Sequence, residues 1–191
     1  MATVFTERLM TTDELLAMPD DGIERWLIDG HLREGQSMTK RNRWHAQLES
    51  RISQLLGNWL DGQPAPRGEL LAGEAGVRLR QNPDTTVGID VAYISAAVAA
   101  DDGGDSTIIE GVPVLAIEIL SPHDQVEEIE EKVDTYLDVG VQAVWVVNPY
   151  RKTVLVARPG QEPVLFNIDQ ELIAEPYLPG FRVRVASIFS R

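Results

Sequence analysis

The sequence predicts an α/β fold in which a mixed β-sheet is flanked by helices. Three observations lead to this prediction: an early β-hairpin, two amphipathic helices, and a series of apolar strands between and after the helices. Elements in this order form layered domains with a sheet at the centre. A chain of 191 residues is long enough to bury a sizeable core, so we expect one domain over residues 1–191.

The first third of the chain is predicted to contain a short helix, a hairpin and a long helix. Thr11-Thr12-Asp13-Glu14 has the spacing of a capping box, which predicts a helix through Met18. Residues 24–28 and 31–34, separated by an Asp-Gly turn, predict a tight hairpin. Apolar residues then recur at helical spacing over residues 44–59, which predicts a helix with one buried face.

The rest of the chain is predicted to be rich in strands, with one further helix. The predicted strands cover residues 76–80, 88–95, 114–120, 143–147, 154–157, 164–168 and 181–185. The second and third of them are apolar on both faces, which is typical of strands covered on both sides. The further helix is predicted from about His123 to Val139, with residues 121–124 at its N-terminal cap and Gly140 at its end. Residues 101–105 are predicted to form a polar loop.

Composition and charge restrict the classes of protein. The chain is 43% hydrophobic and 25% charged, as soluble globular proteins are, and no apolar run reaches the roughly 20 residues of a membrane helix. It has no cysteine, which excludes disulfides and thiolate metal sites, and its N-terminus shows no secretory signal. We therefore expect a cytoplasmic protein without a membrane partner. The net charge of −13 repels phosphates and counts against nucleic-acid binding.

Two carboxylates interrupt the apolar strands. Asp90 lies in the stretch GIDVAYIS and Glu118 in VLAIEIL. If the two strands are neighbours, these carboxylates can share one face, where they repel each other unless a cation lies between them. Oxygen ligands with open positions suit Mg²⁺ or Mn²⁺. Lys132 lies about 40° from Tyr136 around the following helix, so its ammonium group could reach over the strand end and neutralise charge on a phosphoryl oxygen.

A structural explanation of the same residues stays open. Asp90 and Glu118 could be satisfied by Arg78, Arg80 or backbone donors. Lys132 could pair with Glu128, one helical turn earlier.

Several stretches together resemble the Uma-two family of restriction-endonuclease-like proteins. They are TTDELLAMPDDGIERWLIDG, NPDTTVGIDVAYIS, IEILSPHD through EEKVDTYLDVGVQAVWVVNP, and LPGFRVRVASIF. That family is similar to the PD-(D/E)xK nuclease superfamily. The resemblance covers nearly the whole chain and implies a restriction-endonuclease-like domain that hydrolyses phosphodiester bonds with Mg²⁺ or Mn²⁺. It also implies a nucleic-acid partner, with DNA favoured over RNA.

The resemblance also implies roles for individual residues. Asp90 and Glu118 would be the metal ligands and catalytic acids. The lysine usually found two residues after the second acid is replaced by Leu120, and Lys132 matches the position to which the family moves it. Two departures are Ile89, where a proline is usual, and Trp26, where a glutamate is frequent.

Three further residues are weaker candidates. His45, on the long predicted helix, is either a catalytic group or a satisfied core histidine. Glu49 lies one turn from it, and Glu74 precedes the Asp90 strand. Two alternatives to the nuclease remain at this point. One is a catalytically silent module of the same fold that acts through protein contacts as a homodimer, and the other is a hydrolase of small phosphate esters.

Overall fold

The computed structural model describes residues 8–35, 42–101, 107–122 and 124–190, and these build the predicted mixed sheet flanked by helices. The helices are α1 Thr12–Leu16, α2 Arg43–Asp61, α3 Ala96–Asp101, α4 Val126–Val139 and α5 Val185–Ile188. The strands are β1 Arg25–Ile28, β2 His31–Glu34, β3 Glu69–Arg80, β4 Thr85–Ile94, β5 Ile109–Glu110, β6 Leu115–Ile119, β7 Ala143–Asn148, β8 Thr153–Arg158, β9 Gln161–Phe166, β10 Glu171–Ile173 and β11 Arg182–Arg184.

The described residues form one large sheet and a separate two-stranded sheet. The main strand order is β2-β1-β4-β6-β7-β8-β9, with β3 paired to β4 and β5 paired to β3. Strands β6 and β7 run parallel and are connected through α4, whereas β4 is antiparallel to β1, β3 and β6. Strand β4 is therefore the central strand onto which the early hairpin and the later β-α-β unit are both joined.

The hydrophobic core consists of two clusters. One contains Leu48 and Ile52 of α2 with Val91, Ile117 and other sheet residues. The other contains Tyr136 of α4 with alternate sheet residues such as Ala92 and Ala116. Because successive side chains of a strand point to opposite faces, Glu118 lies on the same face as Ala116, the face that α4 covers.

Most predicted elements are confirmed, and the differences have local causes. Helix α1 ends at Leu16, two residues before the predicted end. Helix α4 begins at Val126 instead of near His123, and its N-cap is Gln125, which makes no side-chain capping bond. Asp124, predicted to be part of the cap, instead accepts a 2.7 Å hydrogen bond from the Ser121 amide. His123 itself lies outside the described residues, as does most of the predicted polar loop at 101–105.

Four short elements were not predicted: α3, β5, β10 and α5. Each has at most six residues, too few to show a hydrophobic period. Strand β3 is also longer than predicted, because its first half, ELLAGEAG, contains a β-bulge that breaks the alternation of apolar and polar residues. Over the described ranges, no helix has the length and hydrophobicity of a transmembrane segment.

Candidate active site

Asp90 and Glu118 lie on neighbouring antiparallel strands. The pairing of β4 with β6 matches Val91 to Ile117 and Tyr93 to Leu115. Extending this register by one residue puts Asp90 opposite Glu118. Directly opposite residues have Cβ atoms about 4.5–5.5 Å apart, and like charges in such a pair destabilise a sheet. Both side chains are buried, each with 5% of its surface exposed.

The two carboxylates face a small pocket of about 60 Å³. That is enough for several water molecules, since one occupies about 10–15 Å³ on the same measure. Its lining is mostly polar and includes Glu24, Glu74, Asp124 and Lys132. The pocket therefore combines several acids with the ammonium group of Lys132. Asp90, Glu118 and Lys132 are buried, whereas Glu74 and Asp124 are exposed at its mouth.

Two side chains of α4 hold Glu118. Tyr136 donates a 2.6 Å hydrogen bond to Oε1, and Lys132 Nζ lies 3.3 Å from Oε2. Lys132 and Tyr136 are one helical turn apart, so they reach the sheet side by side. Burial raises the pKa of Glu118 to about 7, with a further rise from the Asp90 charge, while Lys132 and Tyr136 act against this.

Lys132 has a second acid and an aromatic ring beside it. Its Nζ lies 3.7 Å from Glu24 Oε1 and 5.4 Å from the centre of the Trp26 ring. Burial alone would lower the pKa of Lys132, but the charges of Glu118, Glu24 and Asp90 outweigh this and raise it. Lys132 therefore stays an ammonium ion. Glu24 therefore supplies a carboxylate beside this lysine. It lies two residues before Trp26, which occupies the position where the resembled family often has a glutamate.

Asp90 is held by the backbone and by α2. Its Oδ2 accepts a 2.7 Å hydrogen bond from the Ile119 amide. His45 Nε2 lies 3.1 Å from Oδ1 but makes no hydrogen bond to it or to any other described residue. The other ring nitrogen, Nδ1, lies 3.4 Å from Ser121 Oγ. The structure thus brings His45 to Asp90, and it does not bring Glu49 into the pocket lining.

A β-bulge of β3 lies opposite Asp90. Ala72 pairs with Val91 and Ala75 with Ile89, so Gly73 and Glu74 both stand opposite Asp90. Gly73 and Glu74 have φ angles of +90° and +57°, a conformation that few side chains adopt without cost. The bulge puts Glu74 in the pocket wall, where sequence analysis had named it only as an acid preceding the strand.

The structural explanation by arginine pairs is wrong for the described residues. Arg78 binds Glu110 and approaches Asp84, and Arg80 binds Asp29. Neither arginine neutralises Asp90 or Glu118. The alternative pairing of Lys132 with Glu128 is also absent among the described residues. Lys132 faces Glu118 and Glu24, and Glu128 accepts a hydrogen bond from Gln125.

The donors of this site fit a hydrated divalent cation. The described residues contain no group of three or more His, Asp or Glu arranged to hold a metal ion. Mg²⁺, however, keeps several waters and is usually held by one or two carboxylates. Asp90 and Glu118 supply such a pair, each carboxylate retains acceptor capacity beyond its present partners, and His45 Nε2 is left without a hydrogen bond.

Four residues of the site were not predicted to belong to it: Glu24, Ser121, Asp124 and Tyr136. Tyr136 entered the sequence prediction only as the reference for the position of Lys132, yet its hydroxyl donates a hydrogen bond to Glu118. Its four-residue spacing from Lys132 was the available signal, because that spacing places both on one helix face. Glu24 and Ser121 lie outside regular elements, and no periodic pattern marks them.

Comparisons with known proteins identify the family and the fold of the chain. A family model described as "Uma2: Putative restriction endonuclease" matches residues 12–186. The fold is similar to the crystal structure of a putative nuclease belonging to DUF820 from Anabaena variabilis ATCC 29413. That similarity has a TM-score of 0.78 and 20% sequence identity, over 94% of this chain and 97% of that chain. At this identity the likeness shows a shared fold. No curated protein gives a significant match.

Proposed function

The chain belongs to the Uma2 family of putative restriction endonucleases, and from this we propose that it is a metal-dependent nuclease that hydrolyses phosphodiester bonds. One observation carries the proposal. Asp90 and Glu118 are buried opposite each other in the sheet, and the buried cation at this pair is Lys132, in place of a neutralising arginine. Two like charges in this position favour a bound divalent cation.

Asp90 and Glu118 would hold Mg²⁺ or Mn²⁺. When bound, the metal would supply Lewis-acid polarisation of a phosphoryl oxygen and a more acidic water. Lys132 places a desolvated ammonium group at the same pocket, where it can stabilise negative charge that develops on the phosphoryl group. Tyr136 would hold Glu118 and the Ile119 amide would hold Asp90 through their hydrogen bonds, so both carboxylates would keep their positions while substrate binds.

The test is cleavage of DNA and RNA by the wild type and by Asp90→Ala. We expect cleavage only with Mg²⁺ or Mn²⁺ present, and a loss of at least about a hundredfold in the variant, the scale at which removing one catalytic group acts. Asp20→Ala, at an exposed acid outside the pocket, is the matched control and should cleave normally. Equal activity of wild type and Asp90→Ala would overturn the proposal.

A catalytically silent module is the second candidate, and the charge of the chain favours it. The net charge is −13, and several arginines of the described residues are already engaged by acids, among them Arg25, Arg33 and Arg78. A duplex would therefore meet a chain with a large excess of negative charge. Calorimetric titration with Mg²⁺ separates the candidates. Binding that is lost in Glu118→Gln supports the nuclease, and no binding to the wild type supports the module.

Further parts of the proposal concern partners and setting. We propose DNA rather than RNA as the substrate, a single domain over residues 1–191, a homodimer and a cytoplasmic location. Cleavage of matched DNA and RNA strands tests the substrate, and sedimentation equilibrium of the full chain tests the homodimer.

A further inference from the structure

An apolar groove of about 440 Å³ lies beside the candidate active site. Helix α4 forms one wall through Val126, Ile129 and Val133, and strands β7 and β8 form the other through residues such as Val146 and Leu155. Val126 is 66% exposed. Single apolar residues on a surface are ordinary, but several that line one groove mark a contact site.

The charged residues around the groove are all acidic. Asp124, Glu130 and Asp134 line it, and no lysine or arginine is among the described residues of its lining. The same sign continues along α4, where the one basic residue is Lys132, buried against Glu118. The other charged residues of α4 are Glu127, Glu128, Glu130, Glu131, Asp134 and Asp138.

We propose that this groove binds a basic amphipathic helical segment of a partner protein. An amphipathic helix places its apolar face in a hydrophobic groove, and its flanking charges select the partner by complementarity. Here the floor is aliphatic and the rim is negative, so the matching segment carries leucine-like residues on one face and Lys or Arg on the flanks. A second copy of this chain fits less well, because its net charge is −13.

The groove is continuous with the candidate active site. Ser121, Asp124 and Ile129 line both pockets. A basic segment in the groove would therefore carry cations to the edge of the pocket that contains Asp90 and Glu118. If the chain is the nuclease proposed above, the bound segment would add positive charge beside the acidic rim of the groove, where phosphates could contact it.

The binding test uses a synthetic peptide of about 18 residues, five helical turns, made of leucine and lysine in amphipathic order. It is titrated by calorimetry against the full chain without added metal. The comparison peptide replaces every lysine by glutamate. We expect the basic peptide to bind more weakly as salt is raised, and the acidic peptide not to bind.

Two variants locate the site and two controls match them. Val126→Ser removes an exposed apolar side chain of the groove, and Glu130→Lys reverses one rim charge. Each should raise the Kd of the basic peptide at least tenfold. Ile173→Ser, at an apolar residue that is 45% exposed, and Asp20→Lys make the same changes outside the groove and should leave the Kd unchanged.

Three outcomes would overturn the inference. They are absence of binding to the basic peptide, equal binding of the acidic peptide, and equal Kd values for the wild type, Val126→Ser and Glu130→Lys. A dimer of the wild type that Val126→Ser dissociates would show that a second copy covers the groove instead. Peptide binding requires no cleavage, so Asp90→Ala should bind the peptide as the wild type does. The cleavage assay tests the nuclease proposal independently of peptide binding.

Discussion

Two buried carboxylates of this protein, Asp84 and Glu118, have opposite surroundings. Asp84 is 9% exposed and Glu118 is 5% exposed. Oδ2 of Asp84 accepts hydrogen bonds from the Thr12 amide at 2.7 Å and the Thr12 hydroxyl at 2.6 Å. Arg78 Nη1 lies 3.8 Å from Oδ2 of Asp84 and adds a positive charge beside this carboxylate. Glu118 has two donors as well, but it stands opposite Asp90.

The pKa values of the two groups move in opposite directions. Burial alone would raise the pKa of Asp84, but the hydrogen bonds from Thr12 and Asn82 and the charge of Arg78 lower it. Burial and the Asp90 charge raise the pKa of Glu118 to about 7 in spite of Lys132. The chain can therefore satisfy a buried acid fully, and does so where the acid anchors α1 to the sheet. At Glu118, burial and the Asp90 charge make the ionised carboxylate less favourable than it is in water. A carboxyl group with such a raised pKa is typical of functional sites.

The largest expected difference is in stability and activity after removal of each acid. Asp84→Ala should lower the free energy of unfolding by about 1–3 kcal/mol, because two buried donors of Thr12 lose their acceptor, and should leave cleavage intact. Asp90→Ala should lower stability less, because the lost bond to the Ile119 amide is offset by relief of the repulsion with Glu118, and should abolish cleavage. Urea unfolding and cleavage rates measure both quantities. Equal losses of unfolding free energy in Asp84→Ala and Asp90→Ala would show that the two acids do not differ in their contribution to stability.

Metal binding should stabilise the protein through one of these acids. At a Mg²⁺ concentration ten times the Kd, the free energy of unfolding should rise by about 1.4 kcal/mol, since the ion binds the folded state. The rise should persist in Asp84→Asn and vanish in Glu118→Gln. Thermal unfolding with and without Mg²⁺ measures it, and a rise that survives in Glu118→Gln would place the ion elsewhere.

The metal-free protein should show pH effects of opposite sign at the two acids. The raised pKa of Glu118 means that its contribution to stability becomes less favourable as pH rises from about 4.5 to about 7. The lowered pKa of Asp84 means that its contribution is present above about 3.8 and is lost as pH falls below that value. Glu118→Gln should therefore gain stability relative to the wild type between pH 4.5 and 7, as followed by urea unfolding at several pH values. A constant difference across this range would contradict the raised pKa.

The smallest expected effect concerns the tyrosine that holds Glu118. Tyr136→Phe removes a hydrogen bond that favours ionised Glu118, so its pKa should rise further and the acid limb of the cleavage profile should move to higher pH. Lys132→Met should move it more, because the Lys132 charge has the larger influence on that pKa. Cleavage rates from pH 5 to 9 test this order, and an unchanged profile in Tyr136→Phe would show that its hydroxyl serves packing alone.

The long and periodic elements could be predicted from the sequence. Apolar residues recur at regular spacing in helix α2, in the first hairpin and in strands β4 and β6. Strands β4 and β6 are neighbours in the sheet, and they carry Asp90 and Glu118. The rotation of α4 correctly predicted that Lys132 reaches the same face as Tyr136. These relations depend on local periodicity, which the sequence carries directly.

The contacts that complete the site depend on long-range packing. His45 meets Asp90 because α2 crosses the sheet, and Glu24 meets Lys132 because β1 pairs with β4. Arg78 and Arg80, the partners in the alternative structural explanation, lie close to Asp90 in sequence, but in the structure they bind Glu110 and Asp29. No local pattern determines such choices between several nearby partners.

The Ile119 amide donates its hydrogen to the Asp90 side chain at 2.7 Å. A backbone proton held in this way exchanges with deuterium only when the local structure opens or the carboxylate releases it. Deuterium uptake at this single amide is therefore a direct probe of whether Asp90 is engaged with its own chain. An ion or ligand that draws the carboxylate away would accelerate uptake there, and it would do so without a substrate, a cleavage assay or a second protein.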